Sequence, residues 1–286
     1  MSGTPRPHDP AEQKTPPDFE RRIFGLGGLG RLRQLVMTAL IAGLVAGLLL
    51  TGLQRIAVVP IILEAETYET GAAPSHAHGE AAAGNQATTH AEGHDQANNA
   101  APAPSPNATT TDDDGTSRFW LTLLANLVSA AGFGLLLAAG MSLRAATGRH
   151  IGWKNGLLWG LAGFGAFQLA PALGLPPEIP GAAAAELAAR QGWWIMTVIL
   201  SALGLAWLAF ATRHWLKVLA VVPLIVPHLI GAPEPDHHGG LAPESLATQF
   251  VYAALITNGL FWLALGGVAG YVHSRLERRD HKAARG

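Results

Sequence analysis

The chain has 286 residues, 49% of them apolar and 14% charged, with 34 glycines, 19 prolines and a formal net charge of -1. Its long apolar runs, separated by clusters of charge, exclude an ordinary soluble globule and predict an all-α, polytopic membrane protein. The lack of cysteine excludes disulfides, thiolate metal ligands, iron–sulfur clusters and a cysteine nucleophile, so a metal ion can be met only by imidazole, carboxylate, amide or backbone oxygen.

Residues 1–34 are polar and proline-bearing, which predicts a disordered cytoplasmic tail. Arg21, Arg22, Arg31 and Arg33 then precede the first apolar run, Leu35 to Leu53. That run is longer than the ~7–15 residues of a signal-peptide core, and no convincing small-residue cleavage site follows it, so it reads as a retained helix. The region 35–69 is transmembrane helix 1 together with its outer end, which carries Glu64 and Glu66. Residues 70–117 are rich in Ala, Thr, Asn, Pro and His and nearly devoid of large apolar side chains, which predicts a disordered linker.

Residues 118–272 hold the remaining spans: Phe119 to Leu143, Gly156 to Leu173, Trp193 to Ala211, a short Val218 to Ile230 interrupted by Pro223 and Pro227, and Phe250 to Val272. Six helices are therefore expected, followed by a basic tail over 273–286. Apart from Trp207 and Trp262, the tryptophans fall near span ends or flanks, where the amphipathic indole prefers the interface. Alternate connecting segments divide the Lys and Arg residues sixteen to three. The richer side belongs in the cytoplasm, so both termini are expected there, with three poor loops outside.

Two of those outer segments share their punctuation. Pro171 and Pro227 each precede a glutamate by seven residues, Glu178 and Glu234, and the pairs Glu186/Gln191 and Glu244/Gln249 repeat a spacing of five. The repetition predicts that helices 3–4 and 5–6 form repeated hairpins, with Glu178 and Glu234 at equivalent places around one entrance. In this topology the outer side also gathers His76, His78, His90 and His94 in the linker, and His228, Asp236, His237 and His238 near the fifth helix. Imidazole binds divalent cobalt, nickel, copper and zinc, and carboxylates neutralise their charge. His228 follows Pro227 in a helix where Pro223 and Pro227 each lack an amide hydrogen, and such broken membrane helices line cavities or substrate sites. The candidate metal ligands are accordingly His228, Glu234, Asp236, His237, His238 and Glu178, with His76, His78, His90 and His94 as weak capture ligands. A capped helix end with a polar loop, and a linker that merely contains histidine, stand beside those readings.

Polar residues within the spans, Asn126, Ser129, Gln168, Ser201, Thr257 and Asn258, suit helix–helix hydrogen bonding. Gly43 and Gly47, and the run Gly160, Gly163 and Gly165, suit close helix packing. No Asp or Glu lies mid-span, so a buried carboxylate proton relay has no obvious residue. The sequence has no phosphate-binding GxxxxGK[ST] loop, no HExxH and no GxSxG, so neither nucleotide hydrolysis nor another enzyme activity is expected of this chain. It lacks a basic stripe for nucleic acid.

LPPEIPG from Leu175, RQGWW from Arg190, PHLIGAP from Pro227, LFWLALG from Leu260 and PIILEAE from Pro60 resemble the CbtA family of predicted cobalt transporter subunits. The resemblance spans about residues 30 to 275 outside the linker. It implies a bacterial inner-membrane protein that serves cobalamin synthesis, usually beside a small CbtB partner with a histidine-rich end. Cobalt is then the transported substrate, and no permanently bound cofactor is implied. The family is often described with five spans, against the six that the charge count favours. A non-transporting scaffold that presents metal to a partner, and a copper or zinc sensor or chaperone, remain as alternative readings.

Overall fold

The computed structural model describes residues 27–72, 112–237 and 239–283. The expected tail before residue 27, and the linker histidines His76, His78, His90 and His94, lie outside them. The described chain is helical throughout, save for loops and one isolated antiparallel bridge between Ala182 and Gly240.

Among the described residues four helices are long and apolar enough to cross a membrane: α1 (Gly27–Ala57), α3 (Asp112–Ala146), α5 (Leu187–Phe210) and α8 (Glu244–Ala283). The short α2 (Val59–Ala72) follows α1. α4 (Trp153–Phe164) runs on through a π-helical turn, Gly165–Leu169, and a last turn, Ala170–Ala172. At ~1.5 Å per residue the stretch 153–172 is about 30 Å long. α6 (His214–Leu219) and α7 (Val222–Ile230) return along α5, with Ala220 and Leu224 against Gly204 near one end and Pro227 against Trp193 near the other.

Several helices extend beyond their apolar cores. α5 begins at Leu187 rather than at Trp193 because Glu186 caps it, accepting hydrogen bonds from the Ala188 and Ala189 amides. Pro223 sits in the first turn of α7, where its missing N–H goes unnoticed, so it starts a helix instead of breaking one. α1 and α8 overrun the predicted tails, from Gly27 and to Ala283.

α8 is the central helix. One side of it packs on α1, which in turn packs on α3, and another side packs on α4. The α4–α8 contact is made backbone to backbone, by Gly156 and Gly160 facing Gly266 and Gly270. An added Cβ on Gly156 or Gly160 would strike the Gly266 or Trp262 carbonyl oxygen. This is the small-xxx-small spacing on both helices, which lets the two backbones touch where lipid supplies no hydrophobic drive to associate. Gly43 meets Ala131 and Gly134 meets Ala39 across α1 and α3 in the same manner. The amide of Asn126 crosses that interface to Thr51 Oγ1 at 3.0 Å and Gln54 Oε1 at 2.7 Å. Trp262, 1% exposed, lies among Phe133, Phe167 and Phe261 at the middle of the core.

Leu40, Leu44 and Leu48 on α1, and Leu121, Leu124 and Val128 on α3, are exposed. Apolar surface of that extent suits lipid rather than water. The two loop-joined pairs, α4 with α5 and α7 with α8, are not packed along their lengths. α4 lies on α8 and α5 on α7, so the second pair is nested beside the first.

Gly156→Leu is expected to lower stability by about 1–3 kcal/mol or more through overpacking. Gly132→Ala, whose new methyl would meet nothing within 4 Å, should be neutral or stabilising by up to ~1 kcal/mol. Thermal unfolding of the two variants in detergent checks the contrast, and equal midpoints would refute the close approach of the two helices.

Candidate functional site

The loops 173–186 and 231–243 lie at the same end of the molecule and are joined to each other through their main chains. The Ala183 amide donates to the Gly239 carbonyl at 2.9 Å and the Leu241 amide to the Gly181 carbonyl at 3.3 Å. Gly181 adopts φ +72°, and Gly231, which ends α7, adopts φ +86°; both conformations favour glycine. Beneath this clasp Ile179 is buried with Ala65 of α2 and Leu246 of α8, flanked by Ile61, Ala182 and Phe250. The two punctuated segments are thus brought together, and α2 is brought to them.

The side chains expected to bind metal are arranged less simply. Glu178 Oε2 accepts a hydrogen bond from Arg190 Nη2 at 2.7 Å, with 28% of the glutamate and 30% of the arginine side chain exposed. His228 is half-buried on α7, its ring edge-on to Trp193 with centroids 5.9 Å apart. The Trp193 indole N–H donates to the Pro227 carbonyl at 3.3 Å, and the Gly231 amide donates to the same oxygen at 3.1 Å. The carbonyl occupied at this bend is therefore that of Pro227 itself. Glu234, Asp236 and His237 are on the following loop, outside the buried core, and His238 lies outside the described residues. Among the described residues no three of His, Asp and Glu are gathered as a metal ion would require.

A cavity of about 560 Å³ opens beside the Glu178–Arg190 pair, with Gln168, Gln191 and Trp194 also in its wall. Phe167 lines this cavity and also a second one of about 690 Å³ on the other side of the aromatic cluster. Phe167 owes its place to the π-helical turn. Pro171 has no N–H to offer the Phe167 carbonyl, and just before it the Ala170 amide reaches back five residues to the Gly165 carbonyl. Such turns are frequent at functional sites. Gly165 followed by Pro171 is the sequence signal for it, although by spacing alone Gly165 reads as helix packing and Pro171 as the punctuation before Glu178.

The clasped end is also acidic. Glu64, Glu66 and Glu69 on α2 join Glu178, Glu186, Glu234, Asp236 and Glu244, while Arg55, Arg118 and Arg190 are the bases there. Two of those bases are engaged, Arg118 with Glu66 at 3.4 Å and Arg190 with Glu178. The excess of carboxylate raises the local concentration of cations at this end.

A family model described as probable cobalt transporter subunit (CbtA) matches residues 32–274. No curated protein and no solved structure matches the chain.

Trp193→Phe, which keeps the ring packing but removes the donor to Pro227, is expected to cost about 1 kcal/mol. Trp193→Ala should cost about 3–5 kcal/mol, because it also empties the space between α5 and α7. Unfolding of the detergent-solubilised variants separates the two, and equal losses would mean that the hydrogen bond carries the contact.

Proposed function

The chain belongs to the CbtA family of probable cobalt transporter subunits, and on that premise we propose that it is the membrane-spanning subunit that admits cobalt, or a related divalent ion, to supply cobalamin synthesis. The single observation that carries the site assignment is the clasp, which holds the α7 end bearing His228 and the acidic loop after it against the loop bearing Glu178. In this reading the ion is attracted by the acidic end and captured weakly by His76, His78, His90 and His94. It then passes to His228, Glu234, Asp236, His237 and His238, which converge when the ion arrives. Glu178, held by Arg190, shapes the entrance and is not itself the main ligand.

The same reading places the chain in the bacterial inner membrane with six crossings. The 153–172 stretch and the α6–α7 pair would supply the two beyond the four long helices. Both termini and the basic segments are then cytoplasmic, 70–117 is an outer linker, and 1–34 and 273–286 are cytoplasmic tails. The helix pairs on either side of the clasp would be the two copies of a repeated unit. A small CbtB-like subunit with a histidine-rich end is the proposed partner.

One observation favours the alternative of a non-transporting subunit that presents metal to a partner. The mid-membrane core around Trp262, Phe133 and Phe167 is aromatic and offers no carboxylate or imidazole among the described residues. Cobalt flux into vesicles holding the purified chain alone separates the readings: flux supports the transporter, and flux only with the partner supports the presenting subunit.

His228→Ala with Glu234→Ala is expected to weaken cobalt uptake about tenfold or more in cells that depend on this chain, as loss of metal-site residues does elsewhere. Unchanged uptake and unchanged metal binding would remove these residues from the site. Because the chain has no cysteine, the topology is testable by single Asp236→Cys and Lys217→Cys variants and a membrane-impermeant thiol reagent. Asp236→Cys should label in intact spheroplasts and Lys217→Cys only after permeabilisation; the reverse pattern would invert the orientation.

A further inference from the structure

The cavity of about 690 Å³ lies between α3, α4, α5 and α8, within the ~300–1,000 Å³ range of small-molecule sites. Its inner wall is apolar, with Leu205, Phe167 and Trp262. Leu136 and Leu158 also line it and are 59% and 65% exposed, so the cavity is open on a side that lipid would cover. The opposite character appears at the rim, where Arg144, Arg149 and Asn155 enter the lining. The Arg144 guanidinium carbon stands 5.4 Å from the centre of the Phe210 ring, and the charge of Arg149 acts on it. Asn155 Nδ2 donates to the His150 carbonyl at 3.0 Å, fixing the turn that carries Arg149. Among the described residues neither arginine is paired with a carboxylate, the ion pairs being Arg118–Glu66 and Arg190–Glu178.

Two neighbouring guanidiniums without an acid repel a divalent cation, so this cavity is unsuited to the cargo. They favour an anion, and the walls behind them favour an anion with a long apolar remainder. We propose that the cavity binds an anionic phospholipid, its phosphodiester between Arg144 and Arg149 and an acyl chain laid between α4 and α5. Guanidinium forks match phosphate oxygens in bidentate pairs, and basic pockets between membrane helices take anionic lipid headgroups. The site also has a structural use. The α5–α7 arm meets the other helices chiefly through the π-helical turn and the last turn of α4, so a lipid at the other end would steady the arm where the protein itself leaves a gap.

The test uses the full-length protein in detergent, titrated with phosphatidylglycerol, phosphatidylcholine or inorganic phosphate while its unfolding temperature is followed. Phosphatidylglycerol should raise the midpoint saturably and the other two should not. Arg144→Gln with Arg149→Gln should weaken the apparent affinity for phosphatidylglycerol by about tenfold or more, since it removes both charge-assisted contacts to the phosphate. Leu158→Trp keeps both arginines and obstructs the side opening, and it should give a comparable loss. Should the double variant not fold, Leu158→Trp decides, read by native mass spectrometry as loss of retained phosphatidylglycerol. Equal stabilisation by phosphatidylcholine, full reproduction of the effect by inorganic phosphate, or a phosphatidylglycerol response that survives Leu158→Trp would each overturn the proposal.

Discussion

The architecture depends on how closely α4 can approach α8. In lipid there is no gain from hiding one apolar helix against another, so association rests on dispersion and on weak bonds between facing backbones, both of which need short distances. Gly156, Gly160, Gly266 and Gly270 supply those distances. With α4 seated on α8, the π-helical turn is carried to the aromatic cluster, and Phe167 stacks on Trp262 with centroids 5.6 Å apart. The loop after α4 is thereby delivered to the place where it meets the loop before α8.

Two bodies follow from this. One is the row α3, α1, α8, α4, tightly packed and held across α1 and α3 by Asn126. The other is the arm formed by α5, α6 and α7. The clasp and the π-helical turn join them at one end, and the larger cavity separates them toward the other. The polar chemistry collects along this seam: Glu178, Arg190 and His228 near the clasp, and Arg144 and Arg149 across the molecule from it. Acid dominates one end and base the other. That polarity attracts cations on one face of the membrane and anionic headgroups on the other.

Much of this is legible in the residues. Apolar run lengths locate the long helices, and the matched Pro–Glu spacings single out two loops that do meet. The partners inside the meeting are not legible. Glu178 pairs with Arg190, twelve residues on, because a capped helix turns that arginine back over the loop, and nothing in the spacing of the loops reveals it. His228 stands out by its broken helix, but only the fold shows that Trp193 covers its ring and occupies the neighbouring carbonyl. Helix ends escape a reading of apolar runs where a single side chain decides them, as Glu186 does for α5. Gly266 and Gly270 have no meaning in their own segment, since it lies in a facing helix a hundred residues earlier. Arg144 and Arg149 speak only of topology in the linear chain, because a cavity between helices has no linear signature.

The bonds of the clasp run from amide to carbonyl, between Gly181, Ala183, Gly239 and Leu241. Main-chain groups are common to every residue type, so most side chains on these loops can be exchanged without loosening the joint. Apart from the glycines required by backbone shape, the frame is indifferent to the donors it displays. Selectivity and architecture are therefore separable here. If the displayed loop holds the ion as proposed, a lineage of such proteins could trade imidazole for carboxylate there, and so move from one metal to another, while its helices keep their places.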